Sequence, residues 1–412
     1  MPSTVVIVGN GHAGLHTAVS LRDGGFDGRL VLIGDEPDLP YQRPPLSKAY
    51  LDEAADASSL AFRNAGFYGS QRIELLTGSR VTAIDRSARR VRVGDGDLAY
   101  DHLVLATGAR DRPLPIPGGD LDGVFRLRTR ADADRLRPRL YAAGDIVIIG
   151  AGFIGLEFAA VATKRGARVH VIELARRPMA RAVTPEMSEF FHAAHAATGT
   201  RMRFGASVAR LHGPSGRVTA VETTDGLILP ADLVLAGIGV LPNVELASAA
   251  GLDVGNGIAV DGTLLTSDPA ISAIGDCALF PCAFAAGDPV RLESVQNAVD
   301  QARCVASRLL GRPSPYRAVP WFWSEQGKLR LQIAGLALGH DTIALRGTME
   351  GGSFSLFAFK AGRLIAVESV NRPADHMIGR KLLAEAAPIT PAQAADGDFD
   401  LRAALTTVRP AG

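Results

Sequence analysis

Two glycine triplets, Gly9-x-Gly11-x-x-Gly14 and Gly150-x-Gly152-x-x-Gly155, carry the clearest chemistry in the sequence. Glycines at this spacing suit the phosphates of a dinucleotide. The first permits a tight turn, the second lets a pyrophosphate reach the backbone, and the third lets the next helix lie close to the preceding strand. A helix starting there aims free N–H groups and the positive end of its dipole at the phosphates. Each triplet is followed by an acid at the end of the next apolar run: Asp35, beside Glu36, in the first case and Glu173 in the second. An acid in that place accepts hydrogen bonds from a ribose. Further polar residues lie between and after the triplets. Residues 39–48, LPYQRPPLSK, are read as an extended proline loop that presents Arg43, Ser47 and Lys48 to whatever the first turn binds. Thr107-Gly108 closes another apolar run as a turn that passes near a bound cofactor. Gly275-Asp276 closes one more, where an aspartate accepts hydrogen bonds from a polyol chain. Residues 293–303 read as a helix capped by Ser294, with the N–H of Val295 free at its start.

These residues need parallel strands to stand on. Residues 5–8, 29–33, 103–105, 146–149, 168–173 and 271–274 are short apolar, β-branched runs of the kind buried inside parallel sheets. A helix follows each glycine triplet, the second over about 153–165. Residues 60–81 read as a helix-like segment and a short strand, with Val81 near its end. Residues 100–108 have a counterpart in 231–239, so the nucleotide-binding unit occurs twice. Beyond residue 320 the pattern changes to alternating runs at 329–333, 342–346 and 354–359 and a helix at 375–383, which reads as a separate α+β domain. The expected domains are 1–112 with 242–318, then 113–241, then 319–412.

Composition narrows the function further. The formal net charge of +1 over 412 residues carries no bulk field that would draw nucleic acid. Three cysteines, Cys277, Cys282 and Cys304, make no disulfide framework, and no apolar run approaches the ~18–20 residues that span a bilayer. No leader pattern stands at the N-terminus, so a cytoplasmic protein without a membrane partner is expected. No metal site is assigned.

The strings PYQRPPLSK, LVLATGA, GFIGLE, IGDCA, ESVQNA and PWFWS follow one another over nearly the whole chain. In that order they resemble the NADH-dependent ferredoxin reductases of the putidaredoxin reductase type, within the glutathione-reductase-like flavoproteins. The resemblance implies an α/β fold of two Rossmann-like domains plus the α+β domain. It implies FAD on the first unit, NADH on the second, and a [2Fe–2S] ferredoxin as electron acceptor that feeds an oxygenase. A monomer or weak homodimer is expected. It puts FAD contacts at the first glycine turn with Ala13, and at Asp35, Lys48, Val81, Arg128, Asp276 and Val295, and NADH contacts at the second turn and Glu173. Lys48 and Glu157, in the first turn of the second helix, are expected to pair beneath the flavin, or else to form a plain interdomain salt bridge. Phe153 is expected to cover the flavin face or to pack as core. Trp323, with Trp321, is expected at the flavin edge where the ferredoxin docks, or in simple packing. Arg303 and the run Arg126, Arg128, Arg130 are candidates to meet an acidic ferredoxin. Glu173 favours NADH by repelling a 2′-phosphate, while Arg176 and Arg177 nearby favour one. A disulfide reductase or a cysteine-dependent NADH oxidase needs a reactive cysteine that residues 42–48 lack. A flavin- and NADH-binding sensor resembling apoptosis-inducing factor is the remaining alternative.

Overall fold

The computed structural model describes residues 2–406. In chain order the elements that matter are β1 (Thr4–Val8), α1 (His12–Asp23), β2 (Arg29–Ile33), β3 (Ile73–Leu76), β4 (His102–Leu105), β5 (Val124–Phe125), α2 (Arg130–Ala142), β6 (Asp145–Ile149), α3 (Phe153–Lys164), β7 (Arg168–Glu173), α4 (Pro185–Ala197), β8 (Arg201–Phe204), β9 (Leu233–Ala236), β10 (Ile271–Ala273) and α5 (Val295–Leu309). The last part adds β11 (Trp321–Gln326), β12 (Leu329–Gly335), β13 (Thr342–Thr348), β14 (Ser353–Lys360), β15 (Arg363–Val370) and α6 (Pro373–Ala384). The chain forms two compact units. One takes the chain up to Gln42, Ala57–Arg110 and Leu241–Pro320; the other takes Arg43–Asp56, Asp111–Val240 and the chain from Trp321 onward.

The first unit holds a five-stranded parallel sheet in the order β10-β4-β1-β2-β3, with α1 packed on α5. The second holds a matching sheet in the order β8-β7-β6-β9-β5. Val5, Val6 and Ile7 in β1, and Ile146, Val147 and Ile148 in β6, have no solvent exposure, as strands covered on both faces require. The correspondence extends to polar detail. Asp101 accepts from the backbone N–H groups of Ser3 and Thr4 at 2.9 and 2.8 Å, and Asp232 from those of Gly144 and Asp145 at 2.8 and 2.9 Å. Each aspartate thus satisfies the start of the central strand of its own sheet.

The second unit also carries an antiparallel sheet in the order β11-β12-β15-β14-β13, with α6 packed on β12 and β15. Residues 407–412 of the expected C-terminal domain lie outside the described residues. Two local expectations change. Pro44–Ser47 is a short 3-10 helix, not extended chain, because a proline's fixed φ suits the first helical turn and its missing N–H costs nothing there. Val81 opens a strand, Val81–Asp85, paired antiparallel to Arg90–Val93, and does not end one.

One carboxyl is buried in β15. Glu368 is fully buried and accepts from the N–H of Thr184 at 2.9 Å and from its hydroxyl at 2.7 Å, at the N-cap of α4. Burial raises its pKa from 4.5 to about 7, with the Thr184 hydrogen bonds pulling the other way. The folded pKa lies above the unfolded one, so burial costs nothing below about pH 4.5, and stability is lost as pH rises through about 7. Glu368→Gln keeps the shape and the bond from the Thr184 N–H, and its amide N–H can donate to the Thr184 hydroxyl where the carboxylate accepted from it. It is expected to match the wild type in thermal unfolding at pH 4.5 and to exceed it at pH 8, by on the order of 3 kcal/mol at most.

Candidate functional site

The glycines of the two turns are needed for different reasons. Gly9 has φ +108°, and a Cβ there would lie 2.1 Å from the carbonyl oxygen of Ala106. A Cβ on Gly14 would lie 1.8 Å from the carbonyl oxygen of Gly9. The fold itself demands both. Gly11 is another matter: its φ of −72° is open to any residue, and a Cβ would meet nothing within 4 Å. Nothing in the fold demands glycine there; open backbone at that place is what the close approach of a pyrophosphate calls for. The second turn repeats the pattern. Gly150 (φ +103°) and Gly155 would each place a Cβ 2.4 Å from a carbonyl oxygen, whereas Gly152, at φ −78°, faces open space. No side chain caps α1 or α3, so neither cap residue covers the positive ends of these two twelve-residue helices. Both cradles fit the phosphates of a dinucleotide.

The acids after the two turns are one residue out of step. Ile33 and Ile172 are equivalent, since each accepts from the N–H of the first glycine, at 2.7 and 2.8 Å, and pairs with the last residue of the central strand. Glu173 therefore corresponds to Gly34, and Asp35 to Leu174. At Gly34 a Cβ would lie 2.1 Å from Cγ of Asn10, whose buried side chain fills the space. At the other turn Glu173 itself reaches back, accepting from the N–H groups of Ala151 at 2.6 Å and Ala175 at 2.7 Å. Asp35 forms an exposed ion pair with Arg80 at 2.9 Å, and Leu174 stands 72% exposed. Of the two arginines near Glu173, Arg177 is spent on its own loop, donating to the Val183 carbonyl, the Ser188 hydroxyl and the Ala180 carbonyl at 2.8, 2.6 and 2.9 Å. Arg176 is exposed.

Glu157, the fifth residue of α3, is 4% exposed and collects four donors. Its Oε2 accepts from Lys48 Nζ at 2.7 Å and from the Ser47 hydroxyl; its Oε1 accepts from the Ser324 hydroxyl at 2.7 Å and more distantly, at 3.4 Å, from the Glu325 N–H. Phe153, the first residue of α3, packs on Phe322 with ring centroids 4.5 Å apart. Trp321 and Trp323 take the other face of β11, with centroids 5.6 Å apart. Trp321 also meets His376 and the guanidinium of Arg380, both on α6. In the same unit Arg43 donates to the Arg128 carbonyl at 2.8 Å. Burial raises the pKa of nearby Asp111, against the pull of Arg128, Arg126 and Arg43.

In the first unit Thr107 donates to the Asn243 carbonyl at 2.7 Å, and the Asn243 amide to the Thr107 carbonyl at 2.8 Å. These bonds lock a turn whose next residue, Gly108, has φ +65°. Gly275 has φ +75°, and a Cβ there would come within 3.1 Å of the Ala13 Cβ, so the Gly275-Asp276 turn lies close to the start of α1. Ser294 caps α5 by accepting from Asn297 N–H at 3.0 Å, which leaves Val295 N–H without an intrahelical acceptor. Sequence reasoning missed Ser324, Asn243 and Asp111. Ser324 ends the PWFWS string, where the tryptophans drew the attention; the other two carry no local pattern.

The glycine geometry makes a prediction. Gly14→Ala and Gly155→Ala are expected to lower the thermal midpoint sharply. Gly11→Ala and Gly152→Ala are expected to cost no more than about 1 kcal/mol of stability, through poorer caps, yet to weaken dinucleotide binding at their own turn. Thermal unfolding, cofactor retention and coenzyme titration of the four variants measure it.

Comparison with known proteins agrees with this geometry. The pyridine nucleotide-disulphide oxidoreductase family matches residues 3–302, and the reductase C-terminal family matches residues 321–405. Rhodocoxin reductase of Rhodococcus erythropolis is 53% identical over 403 residues, covering 98% of this chain and 94% of the relative. Among solved structures, the ferredoxin reductase for the CYP199A2 system from Rhodopseudomonas palustris superposes with a TM-score of 0.95 at 53% identity, covering 98% of this chain and 99% of that one. The covalent putidaredoxin reductase–putidaredoxin complex gives a TM-score of 0.95 at 42% identity, with the same coverage. With two nucleotide cradles on matching sheets and both family matches in chain order, the protein belongs to the pyridine nucleotide-disulphide oxidoreductase family.

Proposed function

We propose that the protein is an FAD-containing ferredoxin reductase. It takes a hydride from NADH and passes electrons singly to a [2Fe–2S] ferredoxin that feeds a haem-thiolate monooxygenase or a ring-hydroxylating dioxygenase. The observation that carries this reading is the ion pair at 2.7 Å between half-buried Lys48 and buried Glu157, set on the helix of the second cradle in a chain that has two. The relatives that match over nearly their whole length, named rhodocoxin reductase and putidaredoxin reductase, support it. No helix among the described residues is long and apolar enough to cross a membrane, and a cytoplasmic setting is part of the proposal.

Bound FAD supplies the chemistry that nicotinamide lacks, accepting electrons in a pair and releasing them one at a time. The protein's own residues bind and orient. The N-terminus of α1, with Asp35 and Asp276, holds FAD, and Val295 offers a backbone N–H where the α5 dipole favours negative charge. Arg43, Arg128, Thr107, Gly108 and Val81 complete the FAD set in this reading. The N-terminus of α3 and Glu173 hold NADH. Lys48 places a positive charge and a donor at the flavin, and Glu157, with Ser47 and Ser324, fixes where that ammonium sits. Phe153 guards the position that nicotinamide must enter, and Trp323 serves the ferredoxin side.

Thiol-based alternatives find less support. All three cysteines are unpaired, and burial raises the pKa of each, which opposes the thiolate such chemistry needs.

Anaerobic NADH is expected to bleach the flavin band, and an added [2Fe–2S] ferredoxin to restore it without thiols; a band that stays unbleached overturns the reading. Lys48→Met is expected to slow bleaching by roughly ten- to a hundredfold while FAD stays bound. Glu173 repels a 2′-phosphate, so kcat/KM is expected to be higher with NADH than with NADPH. Glu173→Ala is expected to shrink that preference by about tenfold, chiefly by raising KM for NADH.

A further inference from the structure

Residues Arg43–Asp56 fold with the second unit, although the chain on either side of them belongs to the first. They form a strap that lies along α3 and carries Lys48. At one end of α3 the strap is held by Ser47 and Lys48 on Glu157. At the other end Asp52 takes both Lys164, at 2.6 Å, and Arg165, at 3.1 Å. Glu157 and Lys164 are seven residues apart on one helix, a rise of about 10.5 Å along a rigid rod.

We propose that Asp52 is a positioning residue for the flavin-side lysine: by latching the strap to the far end of α3, it sets where the Lys48 ammonium stands against Glu157. The coupling runs through covalent and hydrogen-bonded links on the strap itself. The N–H of Asp52 donates to the carbonyl of Lys48 at 2.9 Å, and the N–H of Ala54 to the carbonyl of Ala49 at 2.8 Å. Asp52 and Lys48 therefore move as one turn. The links close a ring: Glu157 to Lys48 Nζ, Lys48 carbonyl to Asp52 N–H, Asp52 carboxylate to Lys164, and back along α3 to Glu157. One further contact keeps the strap from rotating about that line: Tyr50 is 2% exposed and donates to Asp134 on α2. The Arg165 guanidinium, which Asp52 holds, lies 3.7 Å from the ring centroid of Tyr141 at the end of α2. The residue after Asp52, Glu53, sits at φ +57°, a left-handed conformation that a non-glycine residue holds only when its surroundings fix it.

Asp52 touches neither glycine cradle, and its hydrogen-bonded link to the site runs through Lys48. The Lys164 side chain is 69% exposed, so its pair with Asp52 adds little to stability; Arg165 and Asp52, at 24% and 21%, are more enclosed, and the variants are expected to fold with a modest loss of thermal midpoint. A lysine displaced by even a fraction of an ångström is poorly placed for transfer between two cofactors, where small misplacements cost much rate.

The inference rests on the reading that Lys48 serves the flavin, and the test separates the two. Wild type, Asp52→Asn, Asp52→Glu, and Lys164→Ala with Arg165→Ala are compared as holoenzymes. Flavin bleaching by NADH is followed in stopped flow, NADH affinity by titration, and amide hydrogen exchange over residues 48–55. Asp52→Asn and the double variant are expected to slow bleaching roughly five- to tenfold with NADH affinity within about twofold, and to speed exchange of the Asp52 amide. Asp52→Glu is expected to recover most of the rate. Wild-type bleaching rates in Asp52→Asn overturn the latch, as does a parallel loss of NADH affinity and thermal midpoint. Failure of the wild type itself to bleach overturns the flavin reading instead.

Discussion

A carboxylate with 4% exposure must be answered by donors, and in this protein the answer joins distant parts of the chain. Glu157 stands on the helix of the second glycine turn, yet its partners come from a strap near residue 48 and from the first strand of the C-terminal sheet near residue 324. Removing any one donor leaves charge buried with less to hold it, so the three segments are obliged to keep one geometry. The strap, α3 and β11 are therefore tied at a single carboxylate. The same α3 presents its N-terminus one turn away, so the nucleotide cradle and the ion pair share one rigid element.

The repetition of the two sheets shows which features belong to a nucleotide unit and which are local. The aspartate that caps the central strand, the first glycine forced by a facing carbonyl, the third forced by the first, and the second left facing empty space all occur twice. The acid does not repeat in register. In the first unit Asn10 fills the space over Gly34 and frees Asp35 to stand outward; in the second, Glu173 itself holds the turn. The turn residue between the first two glycines, Asn10 in one case and Ala151 in the other, decides which arrangement is possible.

Much of this was legible in the sequence because it is written in local patterns. The parallel strands come from β-branched runs, the turns from glycine spacing, and the Ser294 cap from its place before a helical run. Lys48 and Glu157 stand in two motifs, PYQRPPLSK and GFIGLE, whose resemblance pairs them. Where reading failed, the determinants were either subtle or distant. Pro44-Pro45 admit a short helix as readily as an extended loop, since a fixed φ near −65° suits both. Ser324, Asn243 and Asp111 act across sequence gaps that no periodicity records. The change of strap Arg43–Asp56 from one unit to the other leaves no compositional trace.

The order of strands in the first sheet also dictates when it can be finished. Its edge strand β10 comes from residues 271–273, after every strand of the second sheet has been made, and pairs with β4. The second sheet draws its own edge strand, β5, from upstream. On a growing chain, the later nucleotide domain thus completes its sheet while the earlier one waits with an open edge of unpaired amides, and α5, the packing partner of α1, emerges later still. In nascent polypeptides arrested between residues 240 and 270, every strand of the second sheet has been made and the first sheet still lacks its edge strand.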